Sequence, residues 1–154
     1  MFGASVVIVK EPVTFLKKIQ ELMKYNAGII REEIKIQNGL KRILELKNEF
    51  YSRDNIVKDF KIDDENVALT LEVISSLVIC EAIIRCALMR HESRGAHFRS
   101  DFPNKDDDKW KVNIYCRNVG GDMVLFKDNV KEIKGPLADM LNIHIKPEHH
   151  REFE

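Results

Sequence analysis

Between Val67 and Met89 apolar residues recur on nearly every helical face, and no other stretch restricts the possible folds as strongly. Val67, Leu71, Ile74 and Val78 form one stripe, while Leu69, Val73, Leu77, Ile84 and Leu88 form another. A helix that is apolar all round is covered on more than one side, which makes this segment the central member of a bundle. Asp63, Asp64 and Glu65 put negative charge at its start, opposite the positive end of the macrodipole, and Arg85 and Arg90 complement its negative end. The expected stop is Ser93-Arg94-Gly95, because glycine takes the left-handed position after a helix without a Cβ clash.

The partners of that helix lie upstream. Pro12 suits a first helical position, where its missing N–H costs nothing, and Phe15, Leu16, Ile19, Leu22 and Met23 follow at helical spacing. Ile30, Ile34, Leu40, Ile43, Leu44, Leu46 and Phe50 continue the pattern, so one long helix ending near Tyr51 is expected, loosened at Asn26-Ala27-Gly28 and at Asn38-Gly39. Ser52 to Lys61 reads as a helix-to-helix connection. Downstream, Lys111–Tyr115 and Met123–Phe126 are rich in Val, Ile, Tyr and Phe and are separated by a loop around Gly120-Gly121 somewhat longer than two residues. The expected fold is therefore mostly α: an antiparallel three-helix bundle, spectrin-repeat-like, with a small C-terminal β-hairpin extension. The divisions are residues 1–11 as linker or short strand, 12–110 as bundle, 111–130 as hairpin and 131–154 as extended tail.

The segment from Arg90 to Trp110 is too dense in guanidinium and carboxylate for an ordinary turn. Three readings are open. Arg94, His97 and Arg99 suit an anion site for a dicarboxylate. Alternatively Arg90, Glu92, Arg94, Arg99 and Asp101 lock the segment by charge-assisted hydrogen bonds and dock it on a neighbouring domain. In the third reading the charges are simply solvated. Asp106, Asp107 and Asp108 follow a Pro-Asn turn and read as capping or solvated residues, and Trp110 as a packing anchor. His91 reads as a helix-end residue, and His144, His149 and His150 as tail residues.

Arg90, Glu92, Ser93, Arg94, Gly95, Ala96, His97, Arg99, Asp101, Pro103, Asp106, Asp107 and Trp110 fall in register on R-x-E-S-R-G-A-H-x-R-x-D-x-P-x-x-D-D-x-x-W. This resembles the signature of the C-terminal helical domain of succinate dehydrogenase and fumarate reductase flavoprotein subunits. Leu22-Met23, Gly28-Ile29 and Arg31 are similar to the L-M-x-x-x-x-G-I-x-R start of that domain. L-aspartate oxidase shares the central part but usually lacks the D-D-x-x-W continuation. Asn113 departs from the pattern, since many members place a His there.

In that family the flavin and the substrate-binding and proton-delivering residues lie in upstream domains. The resemblance therefore implies a docking motif, namely Arg90, Glu92, Ser93, Arg94, Gly95, His97, Arg99, Asp101 and Trp110, with no catalytic, cofactor or metal residue in this chain. It implies FAD in the parent flavoprotein, the flavin-binding domain as partner, the iron–sulfur subunit as a further partner, and a chain that does not turn over alone. A cytoplasmic location is expected because the opening MFGASVVIVK lacks the apolar stretch and cleavage site of a signal peptide, with peripheral attachment to the inner membrane face through partner subunits in this reading. The alternative from another class is a stand-alone helical interaction module.

Composition narrows the field further. The 154 residues fit one domain. Twenty-five basic against 25 acidic residues, with a pI near 7.0, leave no footprint for nucleic acid or an anionic membrane surface. No uninterrupted apolar run reaches the roughly 18 residues of a spanning helix, so direct membrane insertion is not expected. Cys80, Cys86 and Cys116 form no disulfide framework and suit a reducing compartment. An uninterrupted Gly-x-Gly-x-x-Gly is absent, so the chain alone is not expected to hold FAD or NAD.

Overall fold

The first helix, α1 (Pro12–Asn26), begins at the proline as its sequence predicts and buries Phe15, Ile19 and Leu22 along one face. These observations come from a computed structural model, which describes residues 9–52, 64–131, 135–137 and 140. The connection at 53–63 and the tail beyond 140, with His144, His149 and His150, lie outside the described residues, as does all of the 1–11 stretch before Val9. Val9 itself is buried in the core.

The single long helix expected from Pro12 to Tyr51 is instead two. Ala27 donates its N–H to Met23 O and closes α1, and the chain leaves through the short strand β1 (Ile30–Arg31) before α2 (Glu33–Phe50) begins. A Cβ on Gly28 would stand 2.8 Å from the Lys24 carbonyl oxygen, so only glycine lets the chain fold back at that point. Gly39, expected as a weak point, lies inside an unbroken α2. It is a point of close approach, since a Cβ there would meet the Asn26 Cβ at 2.8 Å.

Helix α3 (Asp64–Met89) completes the bundle. Phe15 meets Phe50 edge to face at 5.3 Å while Gly39 faces Asn26, so α1 and α2 run antiparallel. Lys47 pairs with Glu81 while Gly39 faces Ile84, so α2 and α3 do too. Ile36, Ile43, Phe50, Val73, Leu77 and Ile84 are the innermost residues, each 1% exposed or less. Burial of each stabilises the fold by roughly 1.5–3 kcal/mol in transfer free energy. Glu81 is buried among them and stays ionised because Lys47 at 2.8 Å and Arg85 at 2.8 Å both donate to it.

An 18-residue window within Asn66–Met89 reaches a mean hydropathy of 2.2, so by length and composition alone α3 could cross a membrane, although no uninterrupted apolar run does. Thr70, Glu72, Ser75, Ser76 and Glu81 interrupt every apolar run without lowering the average enough, which is why counting runs missed it. In this fold Val73, Leu77, Ile84 and Ala87 face α1 and α2, while Leu71, Val78 and Ile79 remain exposed.

The remaining elements are small. Strand β2 (Phe98–Arg99) pairs in parallel with β1, placing Ile30 beside Phe98 and Arg31 beside Arg99. A single-turn helix α4 (Asp107–Trp110) precedes strands β3 (Val112–Val119) and β4 (Asp122–Asn129). The hairpin is longer than expected and its loop shorter. Val119 pairs with Asp122, so the turn is Gly120-Gly121 alone, both at positive φ (63° and 100°) as a two-residue type I′ turn requires.

Candidate functional site

Helix α3 ends at Met89, before the predicted stop, and what ends it is an arginine from farther along the chain. The Arg99 Nη1 donates to Ala87 O at 3.0 Å and more weakly to Arg90 O at 3.5 Å, capping terminal carbonyls that the helix cannot satisfy itself. Gly95 does take a left-handed conformation, at φ 55°, but not as a helix cap. It is the first central residue of a tight turn in which Arg94 and His97 exchange N–H···O bonds of 2.8 and 2.9 Å.

Arg99 also ties α3 to α2. Its fork grips Asp101, Nε to Oδ1 at 2.7 Å and Nη2 to Oδ2 at 2.6 Å, and Asp101 Oδ2 in turn accepts the Glu33 N–H at 3.0 Å. Helix α2 has no side-chain cap of its own at Glu32, so Asp101 supplies the missing acceptor from 68 residues away. Arg99 is fully buried, and the Arg99 hydrogen bonds hold the Asp101 carboxyl at about 2, against the opposing effect of burial.

A second knot centres on Glu92, which is also fully buried. Its carboxylate accepts both Nε (2.7 Å) and Nη2 (3.0 Å) of Arg94, the Asp106 N–H (2.8 Å) and Nη1 of Arg90. Burial pushes this carboxyl up, but the bonds from Arg94, the Asp106 N–H and Arg90 outweigh it and hold the group at about 2. Arg90, expected over the negative end of α3, turns instead to Trp110 O (3.0 Å) and Val112 O (2.7 Å), anchoring the start of the hairpin. Ser93 fixes the backbone between the knots, accepting the Arg99 N–H at 2.8 Å and donating to Phe102 O at 2.8 Å. Trp110 is 7% exposed, with the Lys127 ammonium 3.5 Å from its ring centre. Asp106 caps α4 by accepting the Lys109 N–H, and His91 stacks on Phe102.

His97 occupies a different position, between β1 and α3. Its Nδ1 lies 2.9 Å from Nη1 of Arg31. A guanidinium only donates, so Nδ1 is the acceptor and the proton sits on Nε2. That Nε2 is buried and makes no hydrogen bond of normal geometry. Burial, with Arg31 beside it, pushes the imidazole below its ordinary value and keeps it neutral.

This arrangement decides among the readings of the segment. The solvated cluster is excluded by the burial of Glu92 and Arg99. The dicarboxylate site needs free guanidinium forks. Arg94 is committed to Glu92 and Asp107, and Arg99 to Asp101, Glu33 and two carbonyls. What the motif does in this chain is lock. Arg31 as partner of His97, Glu33 as partner of Arg99, and Asp101 as cap of α2 were not legible as such, because each pairing spans more than 60 residues.

No cluster of three or more metal-ligating side chains occurs among the described residues. Among the described residues the glycines serve turns and helix contacts, and none opens a strand-turn-helix cradle.

Comparison with known proteins gives a concordant picture. A family model described as fumarate reductase flavoprotein C-term matches residues 16–141. The fumarate reductase flavoprotein subunit of Helicobacter pylori strain J99 is 36% identical over 99 residues, 61% of this chain and 13% of its own length. The succinate dehydrogenase flavoprotein subunit of Coxiella burnetii is 31% identical over 111 residues, 71% of this chain and 19% of its own. An L-aspartate oxidase of Pyrococcus furiosus also matches. In a solved structure of Mycobacterium smegmatis Sdh1 in complex with UQ1, a chain superposes with a TM-score of 0.74 at 29% identity, over 88% of this chain and 23% of that one. The chain thus spans less than a fifth of the curated relatives named here.

Proposed function

Because the chain belongs to the family of fumarate reductase flavoprotein C-terminal domains, we propose that it packs against a flavin-binding region and buttresses it, without turning over substrate alone. The parent activity in this reading is a transfer of hydride and proton between FAD and succinate or fumarate. The parent flavoprotein carries the FAD, sits on the cytoplasmic face of the membrane and has the iron–sulfur subunit as a further partner.

The observation that carries the reading is the contrast between the locked motif and the rim beside it. Ile30 (64% exposed) and Phe98 (41% exposed) are neighbours across the β1–β2 pair, and residues paired in this way project to the same side of a sheet. Ile29 and Ile34 stand exposed next to them in sequence. The motif residues Arg90, Glu92, Ser93, Arg94, Gly95, His97, Arg99, Asp101 and Trp110 then dock indirectly, by holding β2 and this apolar rim in a fixed position. An exposed apolar edge of this kind marks an interaction surface.

The test mixes this chain with the flavin-binding region of a family member ending before its own helical domain. Association and succinate-dependent dye reduction are then followed. We expect a one-to-one complex with increased flavin retention, lost in Ile30→Lys and Phe98→Asp while helical content and thermal midpoint persist. A chain that fails to associate, or whose association survives both substitutions, overturns the reading in favour of a separate interaction module.

A further inference from the structure

Two cysteines that are 30 positions apart in sequence meet in the fold. The Sγ of Cys86, on α3, lies 3.3 Å from the Sγ of Cys116, on β3. A disulfide needs about 2.05 Å between sulfurs, so the two must close by a little over 1 Å to bond. Cys116 is exposed to solvent and Cys86 is half-buried. We propose that Cys86 and Cys116 are a redox modification site, at which a small-molecule disulfide installs a reversible bond that clamps the hairpin onto α3.

The seam between hairpin and helix is where a clamp has most effect. On one side lies a cleft of about 250 Å³ whose lining includes Val78, Ile79, Ala82, Cys116 and Met123. On the other lies one of about 600 Å³ lined by Ile83, Cys86, Asn113 and Tyr115. A two-stranded hairpin is marginal by itself and depends on what it rests on. The bond would also enclose the whole Arg90–Trp110 segment in a covalent loop.

The two sulfurs take different parts. Burial and the neighbouring Cys116 push the Cys86 thiol up to about 12, so Cys86 is not the first nucleophile. The Cys116 thiolate attacks one sulfur of the small disulfide, forming a mixed disulfide and expelling one thiolate. Cys86 then gives its proton to solvent and attacks the Cys116 sulfur, expelling the second thiolate. The protein loses two protons and two electrons, and the small disulfide takes them up to become two thiols.

The experiment treats the reduced native chain with oxidised glutathione and reads intact mass, non-reducing peptide maps and amide exchange. We expect loss of two hydrogens, a Cys86–Cys116 linked peptide, reversal by dithiothreitol, and exchange across β3 and β4 slowed by about tenfold or more. Cys86→Ser should stop at one glutathione on Cys116, and Cys116→Ser should react at least about tenfold more slowly. Wild-type protein that stops at the mixed disulfide, or a link that involves Cys80 or a second chain, overturns the assignment. A correct link that leaves exchange unchanged overturns the clamp.

Discussion

The Arg99 guanidinium caps the Ala87 carbonyl at 3.0 Å, so the end of the central helix is set by a residue 12 positions downstream. The same side chain grips Asp101, which caps α2. Arg99→Lys keeps the charge but not the fork, leaving Asp101 half-paired and a buried carbonyl open. We expect a loss of about 3–5 kcal/mol in urea unfolding for Arg99→Ala, and most of that loss for Arg99→Lys. A Lys variant within about 0.5 kcal/mol of wild type would show that the charge, not the geometry, matters.

Glu92 and Asp101 make the fold acid-labile in a defined window. Both carboxyls sit at about 2 in the folded chain, below their ordinary 4.5 and 3.8. A depressed folded value means that their contribution is fully present above the unfolded value and is lost as pH falls through the folded one. Stability should therefore fall between about pH 4.5 and pH 2, and Glu92→Gln should flatten that slope while lowering stability at neutral pH. Urea midpoints taken across this range decide it.

His97 acts in the same direction at higher pH. Its folded value lies below the ordinary 6.5, so the unfolded chain binds the proton more readily and stability is lost as pH drops below about 6.5. Arg31→Met should relieve part of that shift, because the guanidinium beside Nδ1 is one of its causes. The imidazole titration followed by NMR should move upward in the variant, and an unmoved titration would leave burial as the cause.

Gly39→Ala tests a contact against a propensity. In an exposed helix the change gains about 1 kcal/mol, but here the new Cβ meets the Asn26 Cβ at 2.8 Å with Ile84 close behind. Neither atom is the free end of a flexible chain except the Ile84 methyl, so α1 and α2 must move apart. A net destabilisation of about 1–2 kcal/mol is expected by thermal unfolding, and a stabilised variant would refute the close approach.

The bundle was legible because its signals are local and periodic. Pro12 opened α1, the apolar spacing gave the three helix faces, and Gly120-Gly121 marked the hairpin. The errors occur where a distant atom decides. The break after Asn26 depends on how near the Lys24 carbonyl comes to Gly28, and the end of α3 depends on Arg99 reaching back. Gly95 was correctly expected to be left-handed, but its role is in the Arg94–His97 turn. The cysteines were dismissed as a framework on their sequence spacing, which carries no information about the Cys86–Cys116 meeting. The motif itself was recognisable and a lock was one of three readings open for it, yet which ends of which helices it fastens was not legible.

That fastening has a consequence for the order of events in folding. Arg31–His97, Arg99–Glu33 and Asp101–Glu33 each join groups 66 to 68 residues apart, so closing them requires that α2 and α3 have already come together. The polar knot is then expected to close late, after the transition state, which chevron kinetics of Arg99→Lys would read. Substitutions within it should accelerate unfolding and barely change the folding rate, so the knot governs how long a folded molecule lasts.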